Sequence, residues 1–423
     1  MKNPLLSLLF YIALVITSAC SSGEQAKRLP NQQKAIVSTL PYDGGSVLIS
    51  QDSQRITRAL FSKKLVTTDL LTGEDIVSSS ASPFENSFSD SMRLRQSEDG
   101  SVIISYDNRK KFVSVWDGVS LEKRFQFDIY EGEDSFNLQK LELSPDGQYL
   151  ATSQSYTEDI KIWDIKSGDL LHDIDAQLEN PAGIDVGLTF SPDSQYLFAK
   201  HAMLESRIYN VETGDVSITL NEDTLKKVNQ TYYVKFSNDS KTVRVVSGNG
   251  TIKTKDVLTG EILEKITIQR TYPHTEIPDE DAEFNKDIIV NGDAYYKEET
   301  DTVEDRVNFI EVIDAITGER IKTLGKPAPE TSVDVKNVVH SFPSKITMSP
   351  NGKLVMVRFK YPSVSIWDIE SSALIFEIKE GEVYGQFTER FTPDGKYVLF
   401  QNLSKDLEVY DIDLLLKTVF PQN

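Results

Sequence analysis

Eight times along this chain a short apolar run ends in aspartate or its amide, at nearly constant spacing. The marker falls at Asp69 (LVTTD), Asp117 (VSVWD), Asp164 (IKIWD), Asn210 (SRIYN), Asp256 (IKTKD), Asp314 (IEVID), Asp368 (VSIWD) and Asp411 (LEVYD). The steps are 48, 47, 46, 46, 58, 54 and 43 residues. A fixed period constrains architecture more than any local pattern, because each repeat must be one structural unit. A second marker keeps the register: an acidic or amide turn lies 17 or 18 residues upstream in seven of the eight units. It reads SQDS (50–53), SEDG (97–100), SPDG (144–147), SPDS (191–194), SNDS (237–240), SPNG (349–352) and TPDG (392–395). A third follows the aspartate, as in LLTGED, IKSGDL, VETGDV, VLTGEI and AITGER.

Pro, Asp and Gly supply the preset or positive φ of tight reversals. The flanks (YLATS, IKIW, YVLF, VSIW) alternate or run apolar and β-branched, which predicts strands. Each unit therefore reads strand, SPDG turn, strand, loop, strand, TG turn, strand. A four-stranded unit of this size cannot bury both its faces alone, and radial repetition covers them. The expected fold is all-β: a β-propeller of eight four-stranded blades, or seven if unit one or six is incomplete. Unit six breaks the spacing with an acidic insertion of about ten residues in its loop, roughly 291–306 (NGDAYYKEETDTVEDR). Either AIVSTL (35–40) or the tail LLLKTVF (414–420) is expected to complete the last blade and close the ring.

The SPDG…WD…TG order resembles the WD-repeat family, over roughly residues 34–420 and most closely at 141–175 and 346–379. The Gly-His dipeptide that opens a WD repeat in that family is absent, as is most of the aspartate before the third strand, with Asn249 its nearest echo. Packing and strand ladders alone are therefore expected to hold the blades, in place of the family's His–Ser/Thr–Asp–Trp network. The aspartate plus TG is also similar to quinoprotein-like propellers. By the same equivalence Trp116, Trp163 and Trp367 are core positions.

The N-terminus has its own grammar. Lys2, an apolar run from Leu5 to Ile16 and then Thr17-Ser18-Ala19-Cys20 form a signal-peptide pattern too short to span a bilayer. The small residues before Cys20, the only cysteine, resemble the lipobox of bacterial lipoproteins, in which that cysteine carries acyl chains such as palmitate. The boundaries expected are 1–19 signal peptide, 20–33 flexible tether with lipidated Cys20, and 34–423 propeller. Ser21 after the cysteine implies, by that resemblance, the periplasmic face of the outer membrane in a Gram-negative cell. A tether of thirteen residues reaches about 45 Å from the bilayer at about 3.4 Å per residue.

Net charge is −20, from 65 acids against 45 bases, which argues against a nucleic-acid surface. One cysteine allows no intramolecular disulfide and no CxxC metal site. His172, His201, His274 and His340 show no metal spacing, and no G-x-S-x-G, P-loop or dinucleotide glycine motif occurs. The acidic stretch 297–305 lacks the ligand spacing of a calcium loop and reads as a solvated loop. No catalytic residue, cofactor or metal is assigned. The loops before each third strand gather cations: Lys63 and Lys64, then Arg109, Lys110 and Lys111, with Lys200–His201 and Lys360–Tyr361 in corresponding loops. Rigid scaffolds display function on such loops. The expectation is a non-catalytic, membrane-anchored scaffold whose rim binds other envelope proteins. The alternative is an enzyme, or a small-ligand or glycan binder, using the central channel.

Overall fold

The structure is a computed structural model. It describes residues 32–420 apart from 43–45, 61–63, 82–91, 108–110, 131–137, 155–158, 175–186, 201–205, 221–230, 248–250, 268–282, 285–287, 298–306, 315–316, 318, 326–337, 342, 360–363, 379–388 and 402–405. Among the described residues the regular elements are strands, apart from a 3-10 turn, Gln32–Ala35, and one α-helix, Ile412–Val419.

The repeats become sheets in sequence order. In unit two, Met92–Gln96, Val102–Asp107, Phe112–Asp117 and Lys123–Asp128 form an antiparallel meander, with Ile103 opposite Trp116 and Trp116 opposite Lys123. Its second strand is buried at every position, while its outermost strand alternates between half-buried and exposed. A strand covered on both faces reads as continuous hydrophobe; one with a wet face reads with period two. The SPDG turn lies between the first and second strands and the TG turn between the third and fourth, as the markers predict.

Seven of the sheets are regular four-stranded blades. Unit six departs from the pattern. Its strands Glu283–Phe284, Ile288–Lys297, Val307–Asp314 and Arg320–Gly325 gain a fifth, Val338–Ser341, which pairs with the far end of Ile288–Lys297 (Ala294 to Ser341, Lys297 to Val338). The four-stranded blades therefore number seven rather than eight, and the departure falls in a unit whose spacing had already broken. The physical reason is length. Residues 291–297, expected as the start of a loop, extend the second strand to ten residues, and the overhang takes its own partner. The rest of the acidic stretch lies outside the described residues.

Closure uses the N-terminal strand. Ile36–Leu40 pairs antiparallel with Leu407–Asp411 (Leu40 to Leu407, Ile36 to Tyr410), so the last sheet runs from Arg390–Phe391 outward to Ile36–Leu40. The tail does not compete for that place. It forms the helix, with Ile412 and Leu415 buried against the last two blades.

Core clusters bridge neighbouring units. Ile104 and Val115 of unit two meet Leu141, Leu150 and Trp163 of unit three, and Ile162 meets Leu197 and Tyr209 across the next boundary. At the closing boundaries Phe376 stacks on Phe400 with centroids 4.5 Å apart, and Leu399 and Val409 pack with Ile56 and Leu70 of unit one. Burial of this kind contributes about 25 cal/mol per Å² of apolar surface, so each blade depends on its neighbours.

Packing and ladders are not alone, which corrects the sequence reading. The indole N–H of Trp116 donates to Ser105 at 2.9 Å, and that of Trp163 to Thr152 at 3.0 Å, each across to the second strand. In unit seven the equivalent position is Val357, which has no hydroxyl, and Trp367 turns to Ser365 of its own strand at 3.1 Å.

Candidate functional site

Each marker aspartate caps its own turn. Asp117 accepts from the N–H groups of Val119 (3.0 Å) and Ser120 (2.8 Å), and Asp69, Asp164 and Asp256 repeat the pattern. The N–H of Ser120 and the guanidinium of Arg124, 2.9 Å away, hold the Asp117 carboxyl far below the ordinary carboxylate range. At the end of the chain the same marker becomes a helix N-cap: Asp411 accepts from Leu414 N–H at 2.9 Å. No fourth strand follows there, because Ile36–Leu40 already fills its place.

The upstream turns knit the units together. The fourth turn residue always takes positive φ, and it is Gly100, Gly147, Gly352 or Gly395 in four units but Ser53, Ser194 or Ser240 in three. Each serine hydroxyl accepts from the aspartate N–H of the preceding unit: Asp394 to Ser53 (3.0 Å), Asp146 to Ser194 (3.2 Å) and Asp193 to Ser240 (3.0 Å). Left-handed backbone costs a non-glycine residue about 1–2 kcal/mol, which the inter-blade bond helps offset. These turns are structural.

Antiparallel connectivity puts both turn types on one rim and the loops before each third strand on the other. Of the cations expected on that second rim, three are described. Lys64 opens the strand Lys64–Asp69 and is exposed. Lys111, half-buried before Phe112–Asp117, holds its ammonium 4.9 Å from the Tyr130 ring centroid, a cation–π contact. Lys200 ends the strand Tyr196–Lys200. They share the rim in units one, two and four. Lys63, Arg109, Lys110, His201, Lys360 and Tyr361 lie outside the described residues, as does Cys20.

The feature that sequence reading passed over is the channel wall formed by the first strand of each unit. Between units eight, one and two lies a cavity of about 340 Å³ lined by Ser46–Ile49, Gln51, Leu94–Glu98, Arg390, Phe391 and Pro393. Arg390 reaches from the last blade to donate Nη1 to the carbonyl of Val47 in the first, at 2.9 Å. Arg95 sits with its Nε 3.6 Å from Glu142 of unit three and donates Nη1 to Leu94 O. Behind this wall Glu389, almost wholly buried, accepts from Arg358 at 3.1 Å, and its second oxygen has no hydrogen-bond partner. The signal was present in the sequence. MRLRQ (92–96), QKLEL (139–143) and ERF (389–391) alternate charge with core hydrophobes on strands whose second edge no blade covers. Among the described residues no three His, Cys, Asp or Glu side chains converge as metal ligands.

No known family profile matches the sequence, and no curated protein matches it. Solved structures do match in fold. The computationally designed Ika8 protein superposes with a TM-score of 0.57 at 17% identity, over 89% of this chain and all of that one. The C-terminal WD40 domain of Sif2 superposes with a TM-score of 0.60 at 11% identity, over 89% of this chain and 97% of its own. At such identities the likeness is one of fold, a WD40-like β-propeller.

Proposed function

We propose that this protein is a non-catalytic β-propeller scaffold, held at the bacterial cell envelope by lipid on Cys20, which recruits other envelope proteins through its loop-bearing rim. In a Gram-negative cell it sits on the periplasmic face of the outer membrane. The single observation that carries the reading is the division of labour between the rims. One is committed to capping and inter-blade bonds, while the other carries the variable loops and the cations Lys64, Lys111 and Lys200. A closed, seam-stitched ring gives such loops a rigid base, which suits recognition. Fold alone assigns no function, so the reading rests on the rim and on the lipobox resemblance.

Crosslinking of the tagged, lipidated protein in its own cells tests this, with Cys20→Ala as the unlipidated control. One near-stoichiometric protein partner, weakened in the control, is the expected result. Absence of any partner under conditions that recover known complexes overturns it.

A further inference from the structure

We propose that the cavity between units eight, one and two binds a small oxyanion, a ligand carrying phosphate or carboxylate groups, between the guanidinium groups of Arg95 and Arg390. This goes beyond the scaffold reading and stands independently of it.

The argument starts from charge. On a chain of net charge −20, two arginines from different blades line one cavity of about 340 Å³, and Arg93 and Lys140 occupy the same innermost strands of units two and three. A guanidinium stays protonated at neutral pH, so Arg390 carries a charge that its surroundings do not favour. Burial lowers its hold on the proton, and Arg95 nearby acts in the same sense, while Tyr42 and Glu389 act against it. A guanidinium buried this way, with a second arginine on the same cavity, is favoured by an entering opposite charge.

Geometry adds specificity. The Val47 carbonyl and the Arg390 Nη1 that donates to it fix that planar fork on the wall, and such forks match carboxylate and phosphate oxygens in bidentate fashion. The strands Val47–Ile49, Met92–Gln96 and Arg390–Phe391 each end their sheet, so their second edges face the channel. Ser46, Gln51 and Gln96 supply further polar lining. The volume is at the low end of small-molecule sites, about 300–1,000 Å³, and too small for a helix or a folded domain. Three carboxylates oppose an anion: Glu98 on the lining, Glu142 beside Arg95 and the buried Glu389 next to Arg390. A ligand must therefore compete with Glu142 for Arg95, which favours a multivalent anion over chloride.

Titration calorimetry on the purified full chain tests the proposal, with inorganic pyrophosphate and citrate as probes. The expected result is saturable one-site binding of at least one probe with Kd below about 1 mM. Binding of only one probe assigns the phosphate or the carboxylate class. Arg95→Gln, on a side chain more than a third exposed, is expected to fold with an unchanged Tm and to weaken binding at least about tenfold. Arg390→Gln removes the contact to Val47 and is expected to weaken both fold and binding, so Arg95→Gln carries the test. Lys64→Gln on the opposite rim should leave binding unchanged. No saturable binding of either probe up to about 10 mM by folded protein overturns the proposal, as does unchanged affinity in Arg95→Gln.

Discussion

The backbone N–H of Asp394 in the last unit donates to the hydroxyl of Ser53 in the first, at 3.0 Å, across 341 positions of sequence. Ser53 holds φ at +58° to do so. Two substitutions separate bond from strain. Ser53→Ala removes the acceptor and keeps the left-handed backbone, and is expected to cost about 1–2 kcal/mol. Ser53→Gly removes both and should cost less. Urea denaturation of the two variants checks both terms: the excess cost of Ser53→Ala over Ser53→Gly reads the strain, and no loss in Ser53→Ala would show that the hydroxyl contributes nothing.

Trp116 and Trp367 occupy equivalent positions but bond differently, and Trp→Phe should reveal it. Trp116 is fully buried and bonded across strands to Ser105, so Trp116→Phe is expected to cost about 2–4 kcal/mol from lost volume and an orphaned hydroxyl. Trp367→Phe, at a half-buried site with a bond inside its own strand, should cost about half as much. Thermal melts of both variants give the comparison.

Gly168 combines a φ of +80° with a tight neighbour. A Cβ there would stand 2.9 Å from the Cβ of Phe127 in the preceding unit. Gly168→Ala is therefore expected to destabilise by about 2–4 kcal/mol, beyond the cost of conformation alone. Phe127→Ala keeps that Cβ but removes the ring, whose Cγ would stand 3.0 Å away, so pairing it with Gly168→Ala should recover part of the loss, and a double-mutant cycle measures how much.

Acid should loosen the ring through its turns. The carboxyls of Asp52, Asp99, Asp117 and Asp394 all lie below their ordinary value in the folded protein; hydrogen bonds from turn hydroxyls and N–H groups cause this, against some burial at Asp394. A carboxyl depressed by folding stabilises the fold above its unfolded pKa of about 3.9, and that contribution is lost as pH falls through this value toward the folded pKa. Tm should thus hold steady from about pH 7 to 5 and drop below about pH 4. Asn210 already shows that an amide can make the cap, accepting from Thr213 N–H at 2.9 Å. Asp117→Asn should accordingly cost only about 0.5–1 kcal/mol at pH 7, the partly exposed Arg124 pair, and shallow the acid limb. Circular dichroism melts across pH check both points.

Leu40 is fully buried in the strand that closes the ring. Leu40→Ala is expected to cost about 2–5 kcal/mol and Leu71→Ala, half-exposed in a turn, close to nothing. Limited proteolysis should then cut Leu40→Ala first near its N-terminus.

What the sequence made legible follows from what each residue does locally. The marker aspartates could be aligned because a turn cap depends on its own next three residues, whichever blade carries it. Nothing local set apart the serines at positions 53, 194 and 240, since their partner is a backbone N–H some 47 residues or more away. Unit six misled because a longer second strand and a longer loop have the same spacing. The arginines of the channel were missed because alternation on an innermost strand looks like alternation on any half-wet strand. Only the ring shows that the open edges of three blades meet at one cavity.

The closing strand also orders events in time. Ile36–Leu40 leaves the ribosome long before its partner Leu407–Asp411 has been made. Every other blade completes itself from local hairpins, which form in about 1–10 μs, whereas this one must join ends separated by nearly the whole chain. Loop closure over such a span is the slow kind of contact. The final blade therefore waits with an open edge until residues 407–411 have been made, and a chain cut short before residue 407 has nothing with which to shut the ring.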